Sequence, residues 1–200
     1  MSTLFVNNLN TASGSTITVP TGKKIIGTDN STFVAPGMTL QTVSGTFTDV
    51  DHSFSGGSFA DIDTSLNLSI TPKFSTSKLL ITGNIILGVQ DDSAPVIRLL
   101  VNGSEVGSAT NVSTRAAGHT GMSYIYYTSR GGETYYEMFS NTIHFLTGAV
   151  GTTSAIVCKP QYRNADGSGV VTKVNVSAYG ADVDWIGCGV SSFTVQEIAQ

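Results

Sequence analysis

The residues that could do chemistry are few, and their spacing suits it poorly. Three Asp-x-Asp pairs occur, Asp49/Asp51, Asp61/Asp63 and Asp182/Asp184. In extended backbone each pair puts two carboxylates on one face, which would give oxygen ligands to Ca2+. A solvated edge or loop accounts for them more simply. Asn164-Ala165-Asp166-Gly167-Ser168-Gly169 opens like a Ca2+-binding loop, but Asn175 stands where the bidentate Glu belongs, so a hairpin turn is the better reading. His52, His119 and His144 have no second His or Cys at zinc-ligand spacing. No Gly-x-Ser-x-Gly elbow is present. Thr21-Gly22-Lys23-Lys24 ends like a phosphate-binding loop, yet Ile17 holds the place of its first glycine. Gly187-Cys188-Gly189 has Ser192 in place of the third glycine of a dinucleotide fingerprint. The chain therefore reads as a non-enzyme without cofactor or metal.

The aromatic residues are more suggestive. Tyr124, Tyr126, Tyr127, Tyr135 and Tyr136 fall on two runs flanking Arg130-Gly131-Gly132. Strand alternation turns the members of each adjacent pair to opposite faces. Outward tyrosines could stack on a sugar or pack against a neighbouring subunit, which makes Tyr126, Tyr135 and Arg130 the candidate surface-contact residues. Cross-strand pairing within one molecule would equally explain the cluster.

Composition narrows the classes further. Only 12% of the 200 residues are charged while 40% are apolar, and Ser plus Thr make up about a quarter of the chain. Typical domains carry about 25% charged residues, so this surface is built from hydroxyls and amides around a normal core. Net charge is −4 with ten scattered basic residues, which disfavours nucleic-acid binding. The most apolar stretch, Leu79–Gln90, is too short and too polar to span a membrane. The N-terminus lacks the basic and apolar regions of a signal peptide. Two cysteines, Cys158 and Cys188, are too few for a disulfide scaffold. They could pair if brought together, but a reducing cytosol favours small buried hydrophobes. The five Asn-x-Ser/Thr sequons, at Asn30, Asn67, Asn102, Asn111 and Asn175, are read as a product of composition.

The elements that must position these residues are all β. Alternating and β-branched runs are expected at 15–19, 38–47, 66–70, 78–89, 96–101, 122–128, 134–139, 155–162, 170–179 and 193–198. Asn102-Gly103 signals a two-residue hairpin turn. Hairpins are also expected around 130–132 and around 164–169. The run 78–89 has the apolar continuity of a central strand covered on both faces. No stretch keeps a helical period with caps. This pattern suits an antiparallel β-sandwich, jelly-roll-like, over residues 38–200. Residues 1–37 hold only four apolar pairs, Leu4/Val6, Ile17/Val19, Ile25/Ile26 and Phe33/Val34. That is too little for an independent core. Such a segment would be either a strand-turn stalk packed on copies of itself about a threefold axis, or a flexible tail. Pro36-Gly37 marks the boundary.

Leu66-Asn67-Leu68-Ser69-Ile70-Thr71-Pro72 followed by Ser77-Lys78-Leu79-Leu80-Ile81 resembles the "S-I-T-P…S-S-K-I-L-V" signature of phage tail-fibre and related virion structural proteins, common in phages of marine bacteria and cyanobacteria. Ser191–Gln200 is similar to that family's closing "S-T-L-T-L-x-E-I-A". Gln161–Ala165 with Val174-Asn175 resembles its penultimate hairpin, and Ile17–Ile25 its strand-turn leaders. The segment Trp185–Gly189 departs from the pattern. The resemblance implies a homotrimeric, non-catalytic virion protein with a β-sandwich head. It would be a tail fibre that contributes to host attachment, docks to other virion or tail proteins through its N-terminal segment, and is assembled in the host cytoplasm. Its expected partners are copies of itself, those proteins and a host surface glycan, with neither nucleic acid nor membrane insertion. A capsid decoration protein, a tail adaptor and a free carbohydrate-binding module are the alternatives.

Overall fold

Alternation of apolar and polar side chains, with hydroxyls on the wet side, dictates strands with one face for a core. The computed structural model describes residues 19–23, 26, 34–50, 52–89, 94–110, 117–121, 138–165, 171–178 and 187–200. The chain divides into two compact units, Met1–Phe33 and Val34–Gln200. In the first, the Lys23 amide donates to the Pro20 carbonyl at 3.0 Å, and Gly22 takes φ +78°. That is the left-handed third position of a type II turn, within the expected leader.

The second unit contains β1 (Thr39–Phe47), β2 (Ser53–Phe54), β3 (Ala60–Asp61), a 3-10 turn (Thr64–Leu66), β4 (Leu68–Ile70), β5 (Lys78–Val89), β6 (Pro95–Val101), β7 (Ser104–Val106), β8 (Thr120–Gly121), β9 (Met138–Leu146), β10 (Ile156–Asn164), β11 (Thr172–Val174) and β12 (Ser191–Ile198). Every strand pairing is antiparallel. In the first sheet β9 takes one edge of β5. The other edge is shared, by β12 along Lys78–Asn84 and by β11 along Leu87–Val89, with β1 and β2 beyond them. In the second sheet β10 lies between β6 and the short strands β3 and β4, and β6 carries β7 and β8 on its far edge. Each sheet thus interleaves strands from early and late in the chain, which is the double Greek-key order of a jelly roll. The expected all-β sandwich is the observed fold.

The core lies between the sheets. Leu79, Ile81, Ile85 and Leu87 of β5, Ile143 of β9 and Phe193 and Val195 of β12 meet Leu68 and Ile70 of β4, Ile97 and Leu99 of β6, and Ile156, Cys158 and Tyr162 of β10. The Tyr162 hydroxyl donates to Thr172 Oγ1 at 2.6 Å, tying β10 to β11 across the sandwich with both residues buried. Outward residues of the first sheet form register rows, Ser44–Thr194–Thr82–His144 and Thr46–Ser192–Asn84–Thr142. This is where the hydroxyl-rich composition goes. In β1 a register shift between Thr39 and Gln41 lets Leu40 and Phe47, of opposite sequence parity, both reach the interior.

Four expectations need correction or closure. β5 is central but not covered on both faces, since Leu80, Thr82, Asn84 and Ile86 remain partly exposed. Cover begins at Gly88, where an added Cβ would fall 2.0 Å from the Val176 carbonyl. The stretches around 164–169 do not form a hairpin. β10 and β11 belong to opposite sheets, because β6, β3 and β4 already occupy both edges of β10. The Asn102-Gly103 turn is as expected, with φ of 50° and 80° and Val101 paired to Ser104. The expected runs at 15–19, 122–128 and 134–139 lie wholly or mainly outside the described residues.

Two buried polar joints hold the strand ends. Asn175, fully buried at φ +66°, donates from Nδ2 to the carbonyls of Phe47 (2.7 Å) and Asp49 (3.2 Å). Its Oδ1 accepts from the Ser191 hydroxyl at 2.7 Å, and that oxygen accepts from the Ile86 amide at 3.0 Å. Its own amide donates to Ile86, and its carbonyl accepts from Gly189. The second joint is Glu197, also fully buried. Oε2 accepts from Gln41 Nε2 at 2.6 Å, and Oε1 from the Lys73 amide at 2.7 Å and the Phe74 amide at 3.3 Å. Burial alone would raise the Glu197 pKa, but these donors outweigh it and hold the carboxyl below its ordinary value.

Asn175→Ala should cost on the order of 3 kcal/mol, since it strands buried partners and forces Ala into a left-handed backbone. Asn175→Gly should be less harmful by about 1 kcal/mol, because it removes the backbone strain only; urea unfolding of both variants measures the difference. The depressed Glu197 pKa favours folding fully above the ordinary glutamate value of 4.5, and that contribution fades as pH falls through the folded value. Glu197→Gln should therefore lower the melting temperature at pH 7 and flatten the decline of stability below about pH 4.5. Melting curves against pH provide the check.

Candidate functional site

The outer face of the second sheet gathers most of the ionised side chains that the described surface pairs. Alternation along β10 turns Lys159, Gln161 and Arg163 outward, opposite the row that carries Cys158 and Tyr162 into the core. Register places Gln161 beside Asp61 of β3 on one edge and Arg98 of β6 on the other. Gln161 works as a relay: its Oε1 accepts from Arg98 Nε (2.9 Å) and Nη2 (2.7 Å), and its Nε2 donates to Asp61 Oδ1 (2.6 Å). Lys159 Nζ meets Asp61 Oδ2 at 2.7 Å, and Asn67 Nδ2 donates to the same oxygen at 3.0 Å. Arg98 Nη1 reaches Glu105 Oε2 of β7 at 3.3 Å, and Glu105 also accepts from the Ser108 hydroxyl. The belt therefore crosses β3, β10, β6 and β7.

Burial would raise the Asp61 pKa, yet hydrogen bonds from Gln161, Lys159 and Asn67 hold it below the ordinary carboxylate value. The pairs are partly solvated, so each stabilises by at most about 1 kcal/mol. What they supply is orientation. At one end of the belt the Phe59 ring carries two guanidinium groups, with Arg98 Cζ 4.1 Å and Arg163 Cζ 4.9 Å from its centroid. Arg163 Nε is buried and has no hydrogen-bond acceptor among the described residues.

A second concavity of about 250 Å³ lies between the β6–β7 turn and the β9–β10 loop. Val101, Val106, Val150 and Ile156 give apolar walls, with Asn102, Thr147 and Thr152 at its polar points. None of its lining residues is ionisable or nucleophilic beyond a hydroxyl.

The residues picked out from sequence fare unevenly. Tyr126, Tyr135 and Arg130 lie outside the described residues, as do Asp51, Asp182 and Asp184. Asp61 and Asp63 do not converge on a common ligand. Asp61 serves the belt, while Asp63 caps the 3-10 turn by accepting from the Ser65 amide at 2.7 Å. Hydrogen bonds from the Ser65 hydroxyl, first, and from its amide hold the Asp63 carboxyl below its ordinary pKa. Among the described residues no group of three His, Cys, Asp or Glu is placed to hold a metal ion. His52 packs edge-on between Phe47 and Phe54. His119 bonds Gly107 O through Nδ1 at 3.0 Å and accepts from the His144 amide through Nε2 at 3.3 Å, linking a loop of the second sheet to β9. Phe59, Arg98 and Glu105 were not legible as site residues. The available signal was the Lys159-x-Gln161-x-Arg163 period of two, whose partners on β3 and β6 only register reveals.

No known family's sequence profile matches the chain, and no curated protein does. Among solved structures, a chain from the structure of the infectious bursal disease virus Gx strain is similar at 13% identity and a TM-score of 0.38. That match covers 89% of this chain but only 42% of the other, so this chain spans about two fifths of that protein. A likeness of this size carries no inference about role.

The two cysteines differ sharply. Cys158 is free, buried in β10, and desolvation pushes its thiol pKa up to about 12. Cys188 is free and exposed, in a bridge to Val176. A thiol reagent at neutral pH should therefore label Cys188 in the native protein and reach Cys158 only on unfolding. Peptide mapping after alkylation with and without denaturant reads both sites.

Proposed function

We propose that this chain is a non-catalytic structural component of a phage virion, a homotrimeric tail fibre whose jelly-roll domain contacts the host and whose residues 1–37 attach it to the particle. One observation carries the reading. The two sequence segments that most resemble phage virion proteins, Leu66–Pro72 with Ser77–Ile81 and Ser191–Gln200, form one joint: β12 runs along β5 with Glu197 opposite Leu79, and Glu197 meets the Lys73 amide between the two halves of the first match. Gln41 completes it, donating to Glu197 and to the Thr71 carbonyl at 2.6 Å each. Their adjacency supports reading the two matches as parts of one domain. A matched pair that closes one sandwich end is what a shared domain would preserve.

The surface agrees with this role. The outer face of the first sheet, with its rows of Ser, Thr, Asn and Gln, keeps the fold wetted without strong fields. Loops on a rigid sandwich can differ without unfolding it, which suits recognition, and threefold repetition turns weak contacts into avidity.

The full chain should run as a trimer by light scattering at micromolar concentration, and gold-labelled antibody should mark the tail of intact particles. A protein of residues 38–200 should fold and bind cells but fail to join particles. A monomer absent from virions would favour the free carbohydrate-binding module. Label on the capsid shell would favour a decoration protein, and normal incorporation of the shortened protein would overturn the attachment role of the N-terminal segment.

A further inference from the structure

We propose that Arg163, with Arg98 and Phe59, forms a binding site for the carboxylate of an acidic sugar on the outer face of the second sheet. The inference deepens the host-contact reading above by naming a ligand class for it.

Charge bookkeeping within the belt singles out Arg163. Lys159 is paired with Asp61 and Arg98 with Glu105. Arg163 has the face of Phe59 and no acidic partner among the described residues. Stacking engages the face of a guanidinium rather than its edge, and with Nε of the partly exposed Arg163 buried, its two terminal nitrogens form the planar fork that matches the two oxygens of a carboxylate. Stacking on Phe59 fixes the plane of the fork in advance, so little ordering remains for binding. Arg98 lies over the same ring, and its Nε and Nη2 are aligned by Gln161. With Arg98 Nε and Nη2 bonded to Gln161 and Nη1 to Glu105, Arg98 serves to hold the half-buried ring, and Arg163 supplies the fork.

The surroundings select the rest of the ligand. Among the described residues, three cations and two carboxylates leave the belt with one positive charge to spare, which suits a single anionic group better than a polyphosphate. Asp61 and Glu105 are each about a third exposed, at 33% and 35%, and their oxygens can accept further hydrogen bonds. A ligand that brings one carboxylate and several hydroxyl donors answers both demands. A uronic acid does so, whereas an acidic peptide brings its carboxylate with few donors.

The test is calorimetric titration of the full-length protein with glucuronate, with glucose, acetate and a short oligoglutamate as comparison probes. Glucuronate should bind saturably and more tightly than acetate, glucose should not bind, and added salt should weaken the interaction. Arg163→Met keeps the alkyl packing on Phe59 but removes the fork, and should weaken glucuronate about tenfold or more. Arg163→Lys, which retains charge without the planar fork, should recover only part of that loss. The salt dependence of the unmodified protein needs no variant and holds if Arg163→Met fails to fold. Absence of saturable glucuronate binding, equal affinity in a folded Arg163→Met protein, or tighter binding of oligoglutamate would each overturn the proposal. Gold labelling of particles reads the virion role separately, so either can fail alone.

Discussion

The sandwich depends on one edge of β5 being divided between two strands. β12 leaves that edge at Asn84 and β11 takes it up at Leu87, so two strand ends and their unpaired backbone groups meet inside the protein. Buried amides and carbonyls without partners are costly, and no continuous ladder can serve them at such a break. Asn175 resolves this with both its side chain and its main chain. Its carboxamide spans from the end of β1 to Ser191, and its amide reaches Ile86. The left-handed backbone it needs is one that Asn tolerates better than most residues. The order of this side of the first sheet rests on the junction, because among the described strands β1 pairs with β12 and β2 with β11.

The same economy explains the acidic residue in β12. Phe193, Val195 and Glu197 share the inward parity of the strand, and two of them are core hydrophobes. The carboxylate at the third place faces the turn that leads from β4 to β5 rather than the hydrocarbon centre. Main-chain donors at Lys73 and Phe74 make the charge tolerable there. The alternation of Phe193, Val195 and Glu197 already puts this charge on the dry face of the strand, but nothing local in the sequence says what satisfies it. The structure shows it satisfied by a loop far away in the chain.

That contrast defines what was legible. Strand existence was, because period-two patterning is local: β5 was placed at its observed ends and the β6–β7 turn at its observed residues. Sheet membership was not. Thr172–Val174 follows β10 closely in sequence, and the intervening Asp166-Gly167-Ser168-Gly169 has hairpin composition. Yet the strands diverge to opposite sheets, because edge occupancy is decided by distant partners. The site was hidden for the same reason. Phe59, Arg98, Glu105 and Arg163 come from separate strands and segments, and each alone is an ordinary surface residue. Pro160, buried in the middle of β10, looks like evidence against a central strand. It is accommodated because β4 ends at Cys158 and β3 begins at Gln161, leaving that position without a neighbour on one side.

The two outer faces follow different electrostatic designs. The first sheet shows water mainly hydroxyls and amides, joined across strands by contacts such as Ser44 to Thr194 at 2.8 Å and Ser140 to Asn84 at 2.6 Å. Such groups exchange easily with water and create little long-range field. The second sheet concentrates charge in a chain of partners fixed by register, in a protein with only 12% charged residues. Exposed ion pairs add little stability, so stability does not account for placing them together. Their effect is to fix side-chain geometry: Gln161 cannot rotate without losing bonds to both Asp61 and Arg98, and Arg98 in turn is held against Phe59. A surface otherwise made of adaptable hydroxyls therefore contains one region of preset orientation. The cation at its end, Arg163, is stacked on the same ring but has, among the described residues, no carboxylate partner of the kind that neutralises each of the other two.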